Sequence, residues 1–147
     1  MPRGFAAIAL DNPKTSINVG HALRAANCYA ASLMVIGNPR CEIRSCTDTD
    51  STHKKLPVIR TSDIFDALPF DCVPIAVDLV EGAQNLINYK HPERAFYIFG
   101  AEDQTLGARI LNRCRDVIQI PTRQCMNLSA CVNVVLYDRL AKQSLKI

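Results

Sequence analysis

Three short stretches of this chain hold side chains that can bind or react, and each lies where an apolar run gives way to polar residues. The first is Asn18–Arg24 (NVGHALR). Arginine stays charged at physiological pH, so Arg24 suits gripping a phosphate or favouring a developing oxyanion better than removing a proton. Asn18 offers both a donor and an acceptor, and asparagine is also among the best helix-capping residues. The second stretch, Phe96–Gly107 (FYIFGAEDQTLG), is an apolar strand, a glycine, an acidic loop and a second glycine. Gly100 and Gly107 suit close backbone approach or positive φ, and Gly107 equally suits the start of a helix. Glu102 could fix an arginine or the loop itself, whereas Asp103 reads as a solvated loop acid. The third stretch, Ile120–Asn133 (IPTRQCMNLSACVN), ends a strand, turns at Pro121 and passes through short polar residues into a helix. Asn127 and Ser129 have no packing reason to flank Leu128, although a helix N-cap would also account for them. Two strand–loop–helix turns this close together point to one ligand pocket at the carboxyl ends of the strands.

The elements that must position these stretches follow from apolar runs and their period. Phe5–Leu10, Leu33–Ile36, Val58–Ile59, Val73–Val77, Ala95–Phe99 and Val117–Ile120 read as strands. Val19, Leu23, Ala26 and Ala30 recur at helical spacing, which predicts a helix over Asn18–Ala31 capped by Ser16 or Asn18. Helices are also predicted at Leu106–Cys114 and Asn127–Lys142, and one or two helical turns within Thr61–Leu68. Glu81–His91 reads as loop, and Arg40–Lys55 as polar with no assigned element. Strands alternating with helices give an α/β class with a mostly parallel sheet flanked by helices. Strand order is not readable from periodicity.

Composition narrows the class. A length of 147 residues suits a single domain over 1–147, and 48% hydrophobic with 21% charged residues is ordinary for a folded chain. A net charge of +3 permits a polyanionic partner without requiring one. The seven cysteines form no CxxC pair and lie apart from His21, His53 and His91, so metal-site spacing is absent and no metal is expected. Cys125 and Cys131 have no neighbouring base in sequence and read as packing cysteines. With neither a signal-peptide pattern nor an apolar run of membrane-spanning length, a cytoplasmic protein with reduced thiols is expected.

Taken together, three segments resemble the motifs of the SpoU (TrmH-like) branch of the SPOUT RNA methyltransferases. Asn18–Arg24 resembles its N-x-G-x-x-x-R helix start. Phe99–Gly107 resembles its F-G-x-E-x-x-G-L loop, with the final glycine after the leucine instead of before it. Ile120-Pro121-Thr122 followed by Cys125–Ser129 resembles its third motif, with Cys125 where serine is common and a shorter intervening loop. All three occur in order at strand ends or helix starts, and the resemblance spans nearly the whole chain. The third motif reads M-N-L-S, as in the small single-domain tRNA ribose methyltransferases of the TrmL (YibK) type.

The resemblance implies a carboxyl-terminal trefoil knot, S-adenosylmethionine bound in its loops, and a homodimer whose subunits build the active site together. The implied reaction is methylation of a ribose 2′-hydroxyl, with tRNA the first expectation for substrate and rRNA the second. Asn18, Arg24, Glu102 and Asn127 are the catalytic candidates, with Arg24 in a positioning role and Glu102 able to fix the partner subunit's Arg24. Val77, Phe99, Gly100, Glu102, Gly107, Ile120, Cys125, Met126, Leu128 and Ser129 are the cofactor-binding candidates. Lys14, Arg24, Arg40, Arg44 and Arg123 are the chief RNA-binding candidates, with Arg3, Lys54 and Lys55 beside them and Tyr89 or Tyr29 for base stacking. A catalytically silent module that keeps the fold is a different expectation, favoured only by Cys125 and the short third loop. An unrelated nucleotide-binding α/β protein is disfavoured because neither a GxGxxG nor a Walker loop is present.

Overall fold

The computed structural model describes residues 4–43, 56–101 and 103–144. Strand β1 (Phe5–Asp11) leads into helix α1 (Ser16–Cys28) and strand β2 (Leu33–Gly37). Strands β3 (Val58–Thr61), β4 (Val73–Val77), β5 (Gln84–Asn85) and β6 (Arg94–Gly100) follow. The one-turn helix α2 (Ala108–Leu111), strand β7 (Asp116–Gln119) and helix α3 (Leu128–Ser144) complete the order. Short 3-10 turns occupy Ile64–Ala67 and Leu86–Asn88. The seven strands form one sheet in the order β3-β2-β1-β6-β4-β7-β5, and every pairing is parallel.

A parallel sheet covered on both faces needs strands that are apolar throughout, which is why FAAIAL and AFYIF do not alternate with polar residues. Ile8, Leu10, Tyr97 and Phe99 point to one face, where they meet Val19, Ala22 and Leu23 of α1 and Leu128, Val132 and Val135 of α3. Ala7, Ala9, Phe96 and Ile98 point to the other, where Ile64, Leu106 and Ile110 cover them. The two long helices therefore lie side by side within one chain.

Several boundaries differ from expectation for identifiable reasons. Helix α1 starts at Ser16 because Thr15 caps it, its side chain accepting from Asn18 N at 3.3 Å. It stops at Cys28, and Ala30 then takes φ 55°. Helix α2 is confined to 108–111, entered through Gly107 at φ 80°. The expected loop 81–91 contains β5 and a 3-10 turn capped by Asn85, whose Oδ1 accepts from Ile87 N at 2.9 Å.

Helix α3 is fastened along its second half by a buried polar network. Arg139, 2% exposed, donates to Pro92 O at 2.7 Å, Glu93 O at 2.8 Å and the Tyr97 hydroxyl at 3.2 Å. His91 lies 2.7 Å from the Tyr97 hydroxyl through Nδ1 and 2.7 Å from Asp138 Oδ2 through Nε2. Lys142 pairs with Asp138 at 2.8 Å and donates to the carbonyls of Leu86 and Tyr89.

Candidate functional site

The carboxyl ends of β4 and β6 and the segment after β7 form an open pocket, placed where parallel α/β sheets take their ligands. Val77, Phe99 and Ile120 lie at the three strand ends, and Met126 and Leu128 close the wall at the start of α3. Gly100 and Cys125 line it as well. Val77, Phe99, Gly100, Ile120, Cys125, Met126 and Leu128 are thus the cofactor candidates that the fold brings together. Asp78, Leu79, Ala101, Gln104, Thr122 and Cys131 also line it and were not expected. Asp78 had a readable signal, an acid immediately after the strand VPIAV and so at the carboxyl edge of the sheet.

The glycines divide the roles left open by the sequence. A Cβ at Gly100 would lie 3.2 Å from Leu106 Cδ2, so the absent side chain lets the loop pack on the strand end. A Cβ at Gly107 would meet nothing within 4 Å, so glycine there serves the positive φ and the start of α2. Gly107 does not line the cavity. The expectation that Cys125 packs is also corrected, because it is exposed at the cavity. Cys131 is half-buried, and burial first, then Cys125, pushes its thiol up to about 11. It therefore stays protonated and lies 3.9 Å from Met126 O, a weak contact.

A second set of contacts joins the starts of the two long helices. Asn127 Oδ1 accepts from Ser129 N at 2.9 Å and from Ser129 Oγ at 2.6 Å, so Asn127 heads α3. Its Nδ2 donates to Asn18 Oδ1 at 3.0 Å, and Asn18 is only 7% exposed. The backbone amide of Ser129 orients the Asn127 amide, which fixes the direction of the Asn18 contact. Ser129 faces away from the cavity into a shallow depression that it shares with His21, Arg24, Cys28 and Asn133. Arg24 is exposed there and is not among the residues lining the cavity of its own chain.

The basic candidates have separate fates. Lys14 and Arg123 are exposed. All three nitrogens of the Arg40 guanidinium are engaged: Nη1 donates to Asp103 Oδ2 at 3.1 Å, Nη2 to Asp103 Oδ1 at 2.8 Å and Nε to Asn12 O at 3.2 Å. Asp103, expected as a free loop acid, is instead the partner of Arg40, which holds its carboxyl below the usual carboxylate range. Tyr89 is buried with its hydroxyl donating to Asp116 at 2.7 Å, so it does not present a ring for base stacking. Glu102, Arg44, Arg3, Lys54 and Lys55 lie outside the described residues.

The sequence model of the family described as the SpoU rRNA Methylase family matches residues 6–137. The chain belongs to the SpoU methylase family. No curated protein sequence matches it significantly. Among solved structures, the tRNA-modifying TrmH/SpoU enzyme of A. aeolicus superposes with a TM-score of 0.84 at 17% identity, covering 99% of this chain and 78% of that one. A structure described by the 2-OH methylation of C/U34 on tRNA gives 0.83 at 18% identity, covering 98% of this chain and 94% of that one. The SpoU methyltransferase AviRb from Streptomyces viridochromogenes, solved with AdoMet, gives 0.85 at 16% identity over 98% of this chain. The present chain spans only 60% of the length of AviRb. At these identities the likeness is one of fold. In this SpoU chain the second and third motif segments meet in the cavity, and Asn18 of the first is joined to Asn127 of the third.

Proposed function

We propose that this SpoU chain is an S-adenosylmethionine-dependent RNA methyltransferase that methylates a ribose 2′-hydroxyl, with tRNA as its substrate. It acts as a homodimer and its carboxyl-terminal segment is threaded as a trefoil knot. One observation carries the reading: the segments that hold the second and third motifs line one pocket at the carboxyl ends of the strands.

The lining suits the cofactor. Val77, Phe99, Ile120 and Leu128 offer apolar walls for a flat adenine ring, and Asp78, Gln104 and Thr122 offer polar groups for sugar and amino-acid hydroxyls and amines. Among the described residues the lining contains neither Lys nor Arg, so nothing there opposes a positively charged sulfonium. The bound cofactor supplies a methyl group activated for in-line attack by an oxygen. The protein's own contribution is placement, worth roughly 7–11 kcal/mol in the best intramolecular cases, and assistance to the hydroxyl as it loses its proton. Arg24 grips the RNA phosphate and favours the developing alkoxide, and Asn18 and Asn127 hold the two helix starts that flank it. Glu102 fixes the partner subunit's Arg24.

Arg24 stands off the cavity of its own chain, which favours its delivery to the cavity of a second copy. The large side chains of Ile17 and Tyr137 on α1 and α3, 53% and 60% exposed, suit burial between copies. A threaded tail is supported by topology. β7 lies beyond β4, yet α3 packs on α1 over β1 and β6, so residues 120–127 return across the carboxyl ends of β4 and β6. Lys14, Arg24, Arg44 and Arg123 contact RNA phosphates, which gives affinity without sequence information. Arg40 is left out because its fork is taken. The tRNA reading is supported by the similarly sized structural neighbour described by tRNA 2-OH methylation. The family description, which names rRNA, favours the second reading.

The test is transfer of labelled methyl from S-adenosylmethionine to total RNA from a host lacking the gene, followed by fractionation and mass spectrometry of nucleosides. A 2′-O-methylated nucleoside in tRNA is expected. The same product in rRNA would establish the second reading, label on a base would overturn the ribose chemistry, and absence of both label and cofactor binding would leave a silent module. Arg24→Ala should abolish turnover while leaving cofactor affinity nearly unchanged, as calorimetry would show.

A further inference from the structure

The loop that carries the second motif is held at both of its ends by side chains from other loops. Before α2, Leu106 N donates to Asp78 Oδ2 at 3.0 Å, tying the loop to the segment after β4. At Asp103 the Arg40 fork and Lys14, 3.9 Å away, tie it to the segments after β2 and β1. Between these anchors lies Gln104, which lines the cavity, and Ala101 lines it just before Asp103. The turn joining them is closed by Gln104 N donating to Ala101 O at 3.1 Å. Arg40 is itself fixed, with its backbone N donating to Pro13 O at 2.9 Å and its Nε to Asn12 O. Asn12 Nδ2 in turn reaches Asn38 O at 2.8 Å, so the base of the clamp spans the ends of β1 and β2.

We propose that Arg40 is a positioning residue for the cofactor cavity: by clamping Asp103 it sets where Ala101 and Gln104 stand along the wall. An isolated surface ion pair would hold little, but a bidentate arginine–carboxylate pair within a network of charges is the case that does. The planar fork also makes the clamp directional in a way that a lysine at this position is not. The Arg40 guanidinium lowers the Asp103 titration below the ordinary carboxylate value, as expected for a carboxylate held by a charged fork. The inference rests on the cofactor reading above and adds a residue that does not itself line the cavity.

The test compares Arg40→Gln, Arg40→Lys, Asp103→Asn and the double variant Arg40→Gln/Asp103→Asn with the unaltered chain. S-adenosylmethionine affinity is measured by calorimetry, total-tRNA affinity by filter binding, and amide exchange at Gln104 and Leu106 by mass spectrometry. Each of Arg40→Gln and Asp103→Asn should weaken cofactor binding about three- to fivefold. The double variant should be no worse than either, because the two residues share one interaction. Arg40→Lys should fall between, tRNA affinity should change by less than about twofold, and exchange at Gln104 should quicken. Loss of tRNA affinity with cofactor binding intact would make Arg40 an RNA contact and overturn the proposal. If the unaltered chain binds no cofactor, the functional reading falls, and the exchange rates alone decide the clamp: unchanged rates in both single variants overturn it.

Discussion

Two polar clusters tie separate segments of this molecule to one another, at opposite levels of burial. Under α3, Arg139 and His91 are 2% and 5% exposed, and their partners are backbone carbonyls, the Tyr97 hydroxyl and Asp138. At the mouth of the strands, the Arg40 and Asp103 side chains are 31% and 35% exposed, and they grip each other, Lys14 and the Asn12 carbonyl. A buried charge left without its partners costs several kcal/mol, whereas a solvated one finds water. The first cluster therefore stabilises the fold, and the second adjusts a loop. Rigidity lies under the helix, and the adjustable part lies beside the cavity.

Breaking the buried cluster should give the largest effect. Arg139→Ala strips donors from two carbonyls and a hydroxyl. It should cost about 3–5 kcal/mol, lowering the thermal midpoint by roughly 10 °C in a scan of a chain this size. Asn127→Ala, which removes the head of α3 and the contact with Asn18, should cost about 1–2 kcal/mol in denaturant unfolding. If its loss equals that of Arg139→Ala, the two ends of α3 contribute alike and the contrast with the buried cluster fails.

A pH series sharpens the contrast further. Burial lowers the His91 pKa from 6.5, against the opposing pull of Asp138. The unfolded chain then binds the proton more readily than the folded one. The stability that His91 contributes is present above pH 6.5 and is lost as pH falls below it toward the folded-state value. The thermal midpoint should decline over that window, and His91→Gln should flatten the decline. Asp103 titrates in the acid range and Arg40 lowers its pKa further, so the exposed cluster should not contribute to a change near neutrality. The smallest expected effect is that of Arg40→Gln on stability, a midpoint shift of less than about 3 °C. A larger drop would mean that the exposed cluster supports the fold and not merely the loop.

The sheet was legible wherever strands are buried on both faces, since β1, β4 and β6 need unbroken apolar runs. β5 was not, because Gln84 and Asn85 join β7 through backbone groups alone. α2 was read too long because Leu106 is apolar and near the helix, although Gly107 at φ 80° begins it later. The cavity residues at strand ends were readable because strand ends and the third-motif turn are local features. The clamp was not readable, since Arg40 and Asp103 are 63 residues apart. Arg139 did carry a signal: it falls at helical spacing from Val132, Val135 and Leu136, on the buried stripe of α3, and a charge on such a stripe calls for buried partners.

The anchors of α3 also set an order in time. Beside the Lys142–Asp138 pair within the helix, Arg139 and Lys142 take carbonyl and hydroxyl acceptors from residues 42 to 56 positions earlier in the chain. The second half of the helix therefore seats on the 86–97 turns and strand β6. Because these acceptors precede α3 in the sequence, synthesis makes the receptor available before the helix that docks on it.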